Sequence, residues 1–282
     1  MGTKTKIDWC DSTWNPVTGC LHGCEYCYAR KIAERFAGWN SLEIRETVKG
    51  TTFWRQDGAC EPLFDVSDMQ AKTQKGGKVV PAPYPFGFCP TFHRYKLDEP
   101  QHWKEPRTIF VCSMADLFGD WVPGEWIEQV FEACEAAPQH RYMFLTKNPA
   151  RFKQLRKNGI KLPNDCWIGT SVTRDAEQSD QYTGRTAYLS ENWDTTARWF
   201  VSVEPILERM SRSSIENLTA MRWVIVGAET GRRNKRVIPE KKWIDEIAEA
   251  CKRCGTPIFM KESLREIMGD DFRQEFPWEV DK

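Results

Sequence analysis

Short, almost unbroken apolar runs, spaced by helical periodicity, constrain this chain more than any other feature. The runs are PVTGC (16–20), TIFVCS (108–113), YMFLTK (142–147), CWIGTSV (166–172), WFVSVE (199–204), WVIVG (223–227) and PIFMK (257–261). They are rich in β-branched and aromatic residues and lack the apolar/polar alternation of a half-exposed strand, so they read as parallel strands covered on both faces. Helical patterns lie between several of them. Residues 25–37 put Tyr28, Ile32, Ala33 and Phe36 on one face. Residues 124–137 group Trp126, Ile127, Val130, Phe131 and Cys134. NPARFKQLRKNG opens with a cap and a proline, and EKKWIDEIAEACKRCG groups Trp243, Ile244, Ile247 and Cys251 before Gly255. Strands alternating with helices imply crossover connections, and so an α/β fold: a partial (β/α) TIM-like barrel of about six parallel strands.

Residues 38–106 break the rhythm with glycine, proline and charge. They are expected to form a long irregular insertion after the first helix, functional as a lid or partly disordered. The chain of 282 residues is read as one domain, with 262–282 as a C-terminal extension. Lys+Arg and Asp+Glu both number 40, so no global electrostatic pull on nucleic acid or membrane is expected, and local patches must carry any such contact. No run of 18 apolar residues and no apolar leader is seen, which reads as a cytoplasmic protein with no membrane partner. In that compartment 11 cysteines point to metal or redox chemistry rather than to a disulfide framework.

Three cysteines, Cys20, Cys24 and Cys27, are spaced C-x3-C-x2-C. Thiolates select zinc or iron–sulfur. A structural zinc site wants four ligands, and Cys10 is the candidate fourth. A cubane cluster on three cysteines instead leaves one iron free to bind a small molecule. His22 reads as a loop residue within this stretch.

The stretch GCLHGCEYCY resembles the cluster loop of the radical S-adenosylmethionine (SAM) superfamily, with Tyr26 in its aromatic slot. The later stretches FVCSMADLFG, LTKNPARF, IGTSV, VSVEPI and WVIVGAETG are similar to a phage-associated family known for its three-cysteine motif, itself distantly similar to spore photoproduct lyase. The resemblance implies a [4Fe-4S] cluster on Cys20, Cys24 and Cys27, SAM at its free iron, and a 5′-deoxyadenosyl radical that abstracts hydrogen. An electron donor such as a flavodoxin or ferredoxin is implied as partner. By the matching strand ends, Ser113 with Asp116, Lys147 and Ser171 would hold SAM, with Tyr26 beside them. The Gly-Gly-Glu of many superfamily members is absent after TIFVC. Cys112 matches the hydrogen-atom donor of the lyase relatives, with burial in the strand as its alternative.

Other candidates come from the residues themselves. SMAD also suits a helix start, so Ser113 and Asp116 have capping as their alternative. Glu204, at a strand end before Pro205, needs a partner if buried and is expected to bind ribose hydroxyls or a substrate; a salt bridge is the other reading. GAETGRRNKR puts Glu229 and the basic residues Arg232, Arg233 and Arg236 on one loop, where phosphate contacts would favour a nucleotide or nucleic-acid substrate. Cys251 and Cys254 read as one buried and one exposed thiol. A metal-stabilised interaction protein without catalysis is the rival to the enzyme.

Overall fold

The structure, a computed structural model, describes residues 5–37, 48–55, 58–74, 76–177, 184–186, 198–231 and 234–280. The chain begins with strands β1 (Ser12–Trp14) and β2 (Val17–Thr18), then helix α1 (Tyr28–Arg35). Strands β3 (Val48–Trp54), β4 (Cys60–Val66), β5 (Ala71–Thr73), β6 (Val79–Pro81) and β7 (Thr91–His93) follow. From there strands and helices alternate: β8 (Thr108–Val111), α2 (Gly124–Glu135), β9 (Arg141–Thr146), α3 (Arg151–Lys157) and β10 (Trp167–Val172). The series continues with β11 (Arg198–Val203), α4 (Arg212–Thr219), β12 (Val224–Val226), α5 (Lys241–Cys254) and β13 (Ile258–Met260).

Seven strands, in the order β1-β8-β9-β10-β11-β12-β13 and all parallel, curl into a half-barrel. This is the expected partial TIM-like barrel, with seven strands rather than about six. The expected first strand, 16–20, is corrected. The barrel strand is Ser12–Trp14, paired with β8. Pro16 has no N–H to continue a ladder, and after it Val17–Thr18 turns away to pair antiparallel with β7.

The interior of the barrel is aromatic at its lower end. Trp9, Phe110, Met143, Trp167, Phe200, Trp223, Ile225 and Phe259 form one buried cluster, and Phe276 and Trp278 of the C-terminal segment pack onto it. Trp223 meets Trp278 at 5.3 Å between ring centres, and its Nε1 donates to the Glu275 carbonyl at 2.9 Å. Gly169 is bare because a side chain there would overlap the Phe200 ring. The larger core lies outside the sheet, under the helices. There α2 buries Trp126, Ile127, Val130, Phe131 and Cys134, and α5 buries Ile244, Ile247 and Cys251, close to the expected faces. Gly255 closes α5 in the left-handed conformation that glycine adopts without steric cost.

Two expectations are revised. The 38–106 segment is not irregular throughout: β2, β7, β4 and β3 make a four-stranded sheet and β5 with β6 a hairpin. And α1 does not bury its large apolar face. Ala29 and Ala33 are buried, against Phe88 and Met114, while Tyr28, Ile32 and Phe36 are exposed. Two small residues let this helix sit close to the turn at 86–89, and the bulky side chains point elsewhere. Among the described residues no helix is long and apolar enough to cross a membrane.

Candidate functional site

A cavity of about 220 Å³ opens above the aromatic floor, at the C-terminal ends of the strands. Interior positions on a strand recur every second residue, and the cavity is lined by the ones that follow the floor: Leu145 and Lys147 above Met143, Ser171 above Gly169, Ser202 and Glu204 above Phe200, Lys261 above Phe259. The remaining side is the cysteine loop. Cys20, Cys24, Tyr26, Cys27 and Tyr28 all line the same space.

Tight backbone contacts hold that loop. Gly19 has φ +87°, donates its N–H to the Met114 carbonyl at 2.9 Å, and lies so close to the carbonyls of Phe88 and Cys89 that any side chain would overlap them. Only glycine serves at that position. Cys27 then caps α1, its Sγ accepting from the Arg30 N–H at 3.3 Å. Burial, with the charge of Asp116 behind it, pushes the Cys20 thiol up to about 12. Among the described residues no three His, Cys, Asp or Glu side chains form a ready-made metal-binding group.

Asp116 is the hub of the site. Its carboxylate accepts from His22 Nε2 at 2.7 Å, from the Lys147 N–H at 2.8 Å and from the Phe118 N–H at 3.0 Å. Burial alone would raise its pKa, but the His22 hydrogen bond and charge, with the Lys147 amide, hold it below the ordinary carboxylate value. One side chain thus ties the cysteine loop to the ends of β8 and β9. His22 also meets the Trp121 ring edge-on at 4.9 Å.

Across the cavity, Lys147 Nζ is buried and among the described residues has no hydrogen-bond partner; it stands 5.4 Å from the centre of the Tyr26 ring. Ser113 donates its hydroxyl to Asn15 Oδ1 at 3.1 Å, and its carbonyl accepts from Tyr28. The Ser171 carbonyl accepts from Arg185 at 2.5 Å. Glu204 is paired with Lys261 at 2.6 Å. Glu229 is buried in the wall, where one of its oxygens accepts the Val237 N–H at 3.3 Å and so braces the loop after β12.

The cavity therefore brings together Cys20, Cys24, Cys27, Tyr26, Ser113, Asp116, Lys147, Ser171, Glu204 and Glu229. Cys112 is set apart from them. Strand alternation from Phe110 would aim it inward, but its backbone is left-handed, φ +58°, and its side chain lies in the outer core with Trp14 and Val17. That turn carries Ser113 to the cavity instead. Arg236 is exposed, and among the described residues its guanidinium reaches the Gly231 carbonyl of its own loop, at 3.5 Å. Arg232 and Arg233 lie outside the described residues. Cys10 packs against the aromatic floor rather than lining the cavity with the other three thiols. Cys251 is buried and Cys254 exposed.

The reading of the residues missed three that matter here: Asn15, His22 and Lys261. Lys261 carried the same signal as Lys147, a lysine directly after a buried strand. The other two carried none beyond their place next to Pro16 and among the cysteines.

A seven-stranded parallel half-barrel with a cavity at its upper end that holds charged side chains and, on one wall, three thiols is the class of protein that these features define. Residues 4–266 match the family model described as protein of unknown function DUF5131, and the chain belongs to that family. No curated protein matches it. Solved structures with a similar fold include a mutant of spore photoproduct lyase with dinucleoside spore photoproduct, at 12% identity and TM-score 0.50, over 93% of this chain and 79% of that one. Another mutant of that lyase, with bound AdoMet and dinucleoside spore photoproduct, has 11% identity and TM-score 0.48 over 98% and 79% of the two chains. The likeness is one of fold.

Proposed function

We propose that this chain is a radical SAM enzyme that holds a [4Fe-4S] cluster on Cys20, Cys24 and Cys27 and SAM in the adjoining cavity, and acts on a nucleotide or nucleic acid. Lys147 carries the reading. A buried ammonium with no partner is costly, and its place inside a cavity suits the carboxylate of a bound ligand. The donor set fits as well, since three soft thiols from one short loop suit iron–sulfur and leave one corner of a cubane for that ligand.

Cys20, Cys24 and Cys27 would hold such a cluster, which with SAM beside it would supply one-electron reductive cleavage chemistry and so the means to take hydrogen from a substrate. The chain's own residues do the rest. Asp116 and Gly19 hold the cysteine loop against the strand ends. Lys147 meets the methionyl carboxylate, and Tyr26 shields that contact from water. Ser171 and Ser202, partners in register on β10 and β11, offer hydroxyls to the nucleoside. Leu145 and the rings below keep water from the deepest part.

The substrate class rests on two supports: the dinucleoside ligand named for the similar structures and the exposed Arg236 on the loop after β12. The cavity has room for a small molecule, so a nucleic acid would present one unit to it and keep its phosphates at the mouth. A flavodoxin- or ferredoxin-type donor would supply the electron.

Protein reconstituted with iron and sulfide without oxygen should be brown and, after dithionite, convert SAM to 5′-deoxyadenosine. Replacing any one of the three cysteines by Ala should drop that product to background, and Cys24→Ala, which removes no helix cap, should do so without lowering the melting temperature of the unreconstituted chain. Colourless protein that retains a single tightly held zinc would replace this reading with the non-catalytic one.

A further inference from the structure

A helix at the surface normally shows water its polar side. Helix α1 shows an apolar one as well. Its buried contacts are made by Ala29 and Ala33, while Tyr28, Ile32 and Phe36, one turn apart along a single stripe, stay 49%, 38% and 46% exposed. The other large exposed apolar side chains among the described residues, Trp54, Met69, Val79 and Ile238, sit on separate segments. Beside the stripe run Lys31 and Arg35, also a turn apart and both exposed. The acid of the helix, Glu34, lies on the far side and is paired with Arg30 at 3.7 Å. At the last turn Lys72 Nζ donates to the Phe36 carbonyl at 2.9 Å and to the Ala37 carbonyl at 3.2 Å, so a third cation stands where the helix would otherwise present bare acceptors. The near end of the stripe touches the site. Tyr28 also lines the cavity, and Cys27 caps the helix. Ile32 is five residues on from that cap, about 7.5 Å along the axis.

We propose that this face of α1 is the dock of a protein electron donor: an acidic one-electron carrier of the ferredoxin class, whose carboxylates meet Lys31 and Arg35 and whose apolar spot covers Ile32 and Phe36. This rests on the preceding reading of the three cysteines and gives the donor its place. An apolar centre with a charged rim is the anatomy of a protein contact. The sign of the rim selects acidic partners and speeds their encounter. Redox contacts are small and short-lived, under about 1,200 Å² in all, which one short helix and its surroundings can supply. Position then decides among acidic partners. One electron leaves the carrier, which is oxidised, and enters the cluster held by Cys20, Cys24 and Cys27, which is reduced. No atom moves, so the carrier has only to come close, and α1 is the helix that begins at the third thiol.

The test is calorimetric binding of an oxidised, acidic plant-type ferredoxin to anaerobically reconstituted protein, followed by SAM cleavage driven either by the same ferredoxin in reduced form or by dithionite. The wild type should bind, and more weakly as salt rises. Lys31→Glu with Arg35→Glu should weaken binding by roughly tenfold or more, and Ile32→Ser by about three- to tenfold, as for part of an apolar contact. Ferredoxin-driven cleavage should fall with binding, while dithionite-driven cleavage and the melting temperature stay at the wild-type level. Lys153→Glu with Lys157→Glu, on the exposed side of α3, changes the net charge equally and should alter neither. Unchanged binding by the α1 variants, a loss that the α3 variant shares, or a wild type that cleaves SAM with dithionite but binds no ferredoxin overturns the assignment and leaves the preceding reading in place. So does a wild type that pairs with its own copy through this face, seen as a dimer that Ile32→Ser dissolves. A wild type that cleaves no SAM with dithionite overturns that reading instead.

Discussion

On β10 the side chains of Trp167 and Ser171 enter the same barrel interior four residues apart, about 13 Å along the strand. Trp167 belongs to a dry aromatic floor with Phe200, Trp223 and Phe259; Ser171 belongs to a wall with Lys147, Glu204 and Lys261. The same contrast repeats on β9 from Met143 to Lys147 and on β11 from Phe200 to Glu204. The floor has its stability in packed rings. The mouth gives up stability for unspent hydrogen-bonding capacity, most plainly at Lys147 Nζ. What differs between the two regions is therefore what each substitution should cost.

Removing a ring from the floor should have the largest effect. Trp223→Ala deletes a fully buried side chain ringed by Trp9, Trp167, Phe259 and Trp278. It should lower unfolding free energy by about 3–5 kcal/mol in urea titrations; a loss below about 1 kcal/mol would mean that the floor is not the packed plug described. At the mouth the sign should reverse. Lys147→Met removes a buried, unpaired cation and should leave stability equal or higher, while SAM affinity falls roughly 10- to 100-fold, as for a lost charge-assisted hydrogen bond. A destabilised variant with normal SAM binding would erase the contrast between floor and mouth.

A smaller effect sharpens the picture in the sheet behind the cysteine loop. His93 is fully buried on β7, with its ring nitrogens on Thr18 Oγ1 at 2.9 Å and the Tyr95 hydroxyl at 3.2 Å. Burial first, and then the charge of Lys96, lowers its pKa to about 3. The folded chain thus holds it neutral while the unfolded chain takes up a proton below about 6.5. Stability from this residue is complete above that pH and is lost as pH falls from about 6.5 toward 3, amounting to about 2 kcal/mol at pH 5. Urea midpoints at pH 7.5 and 5, for the wild type and for His93→Gln, measure it: the variant should lose that part of the slope.

Much of the barrel was legible because strands covered on both faces spell themselves out as apolar runs, and β8 through β13 do so. β1 was not, since Ser12–Trp14 is three residues long with one large apolar side chain, and the neighbouring PVTGC looked more like a strand. The sheet of β2, β7, β4 and β3 stayed hidden because its strands mix charge, proline and glycine with few apolar positions. At the site, residues next to predicted strand ends were within reach, so Ser113, Lys147, Ser171 and Glu204 could be named. Cys112 shows where that logic stops: alternation presumes extended backbone, and one left-handed residue reverses it. The role of Asp116 as anchor needed contacts 94 and 31 residues away, to His22 and Lys147, that no local pattern encodes.

The plug of Trp9, Trp223, Phe276 and Trp278 has a kinetic corollary. Among the described residues these rings close the cavity from below, so on the proposed function its occupants share the mouth and must queue. Whichever molecule rests deepest, against Leu145 and the rings, enters before its companion and departs after it. On the proposed function, product-inhibition patterns should accordingly be those of an ordered rather than a random scheme.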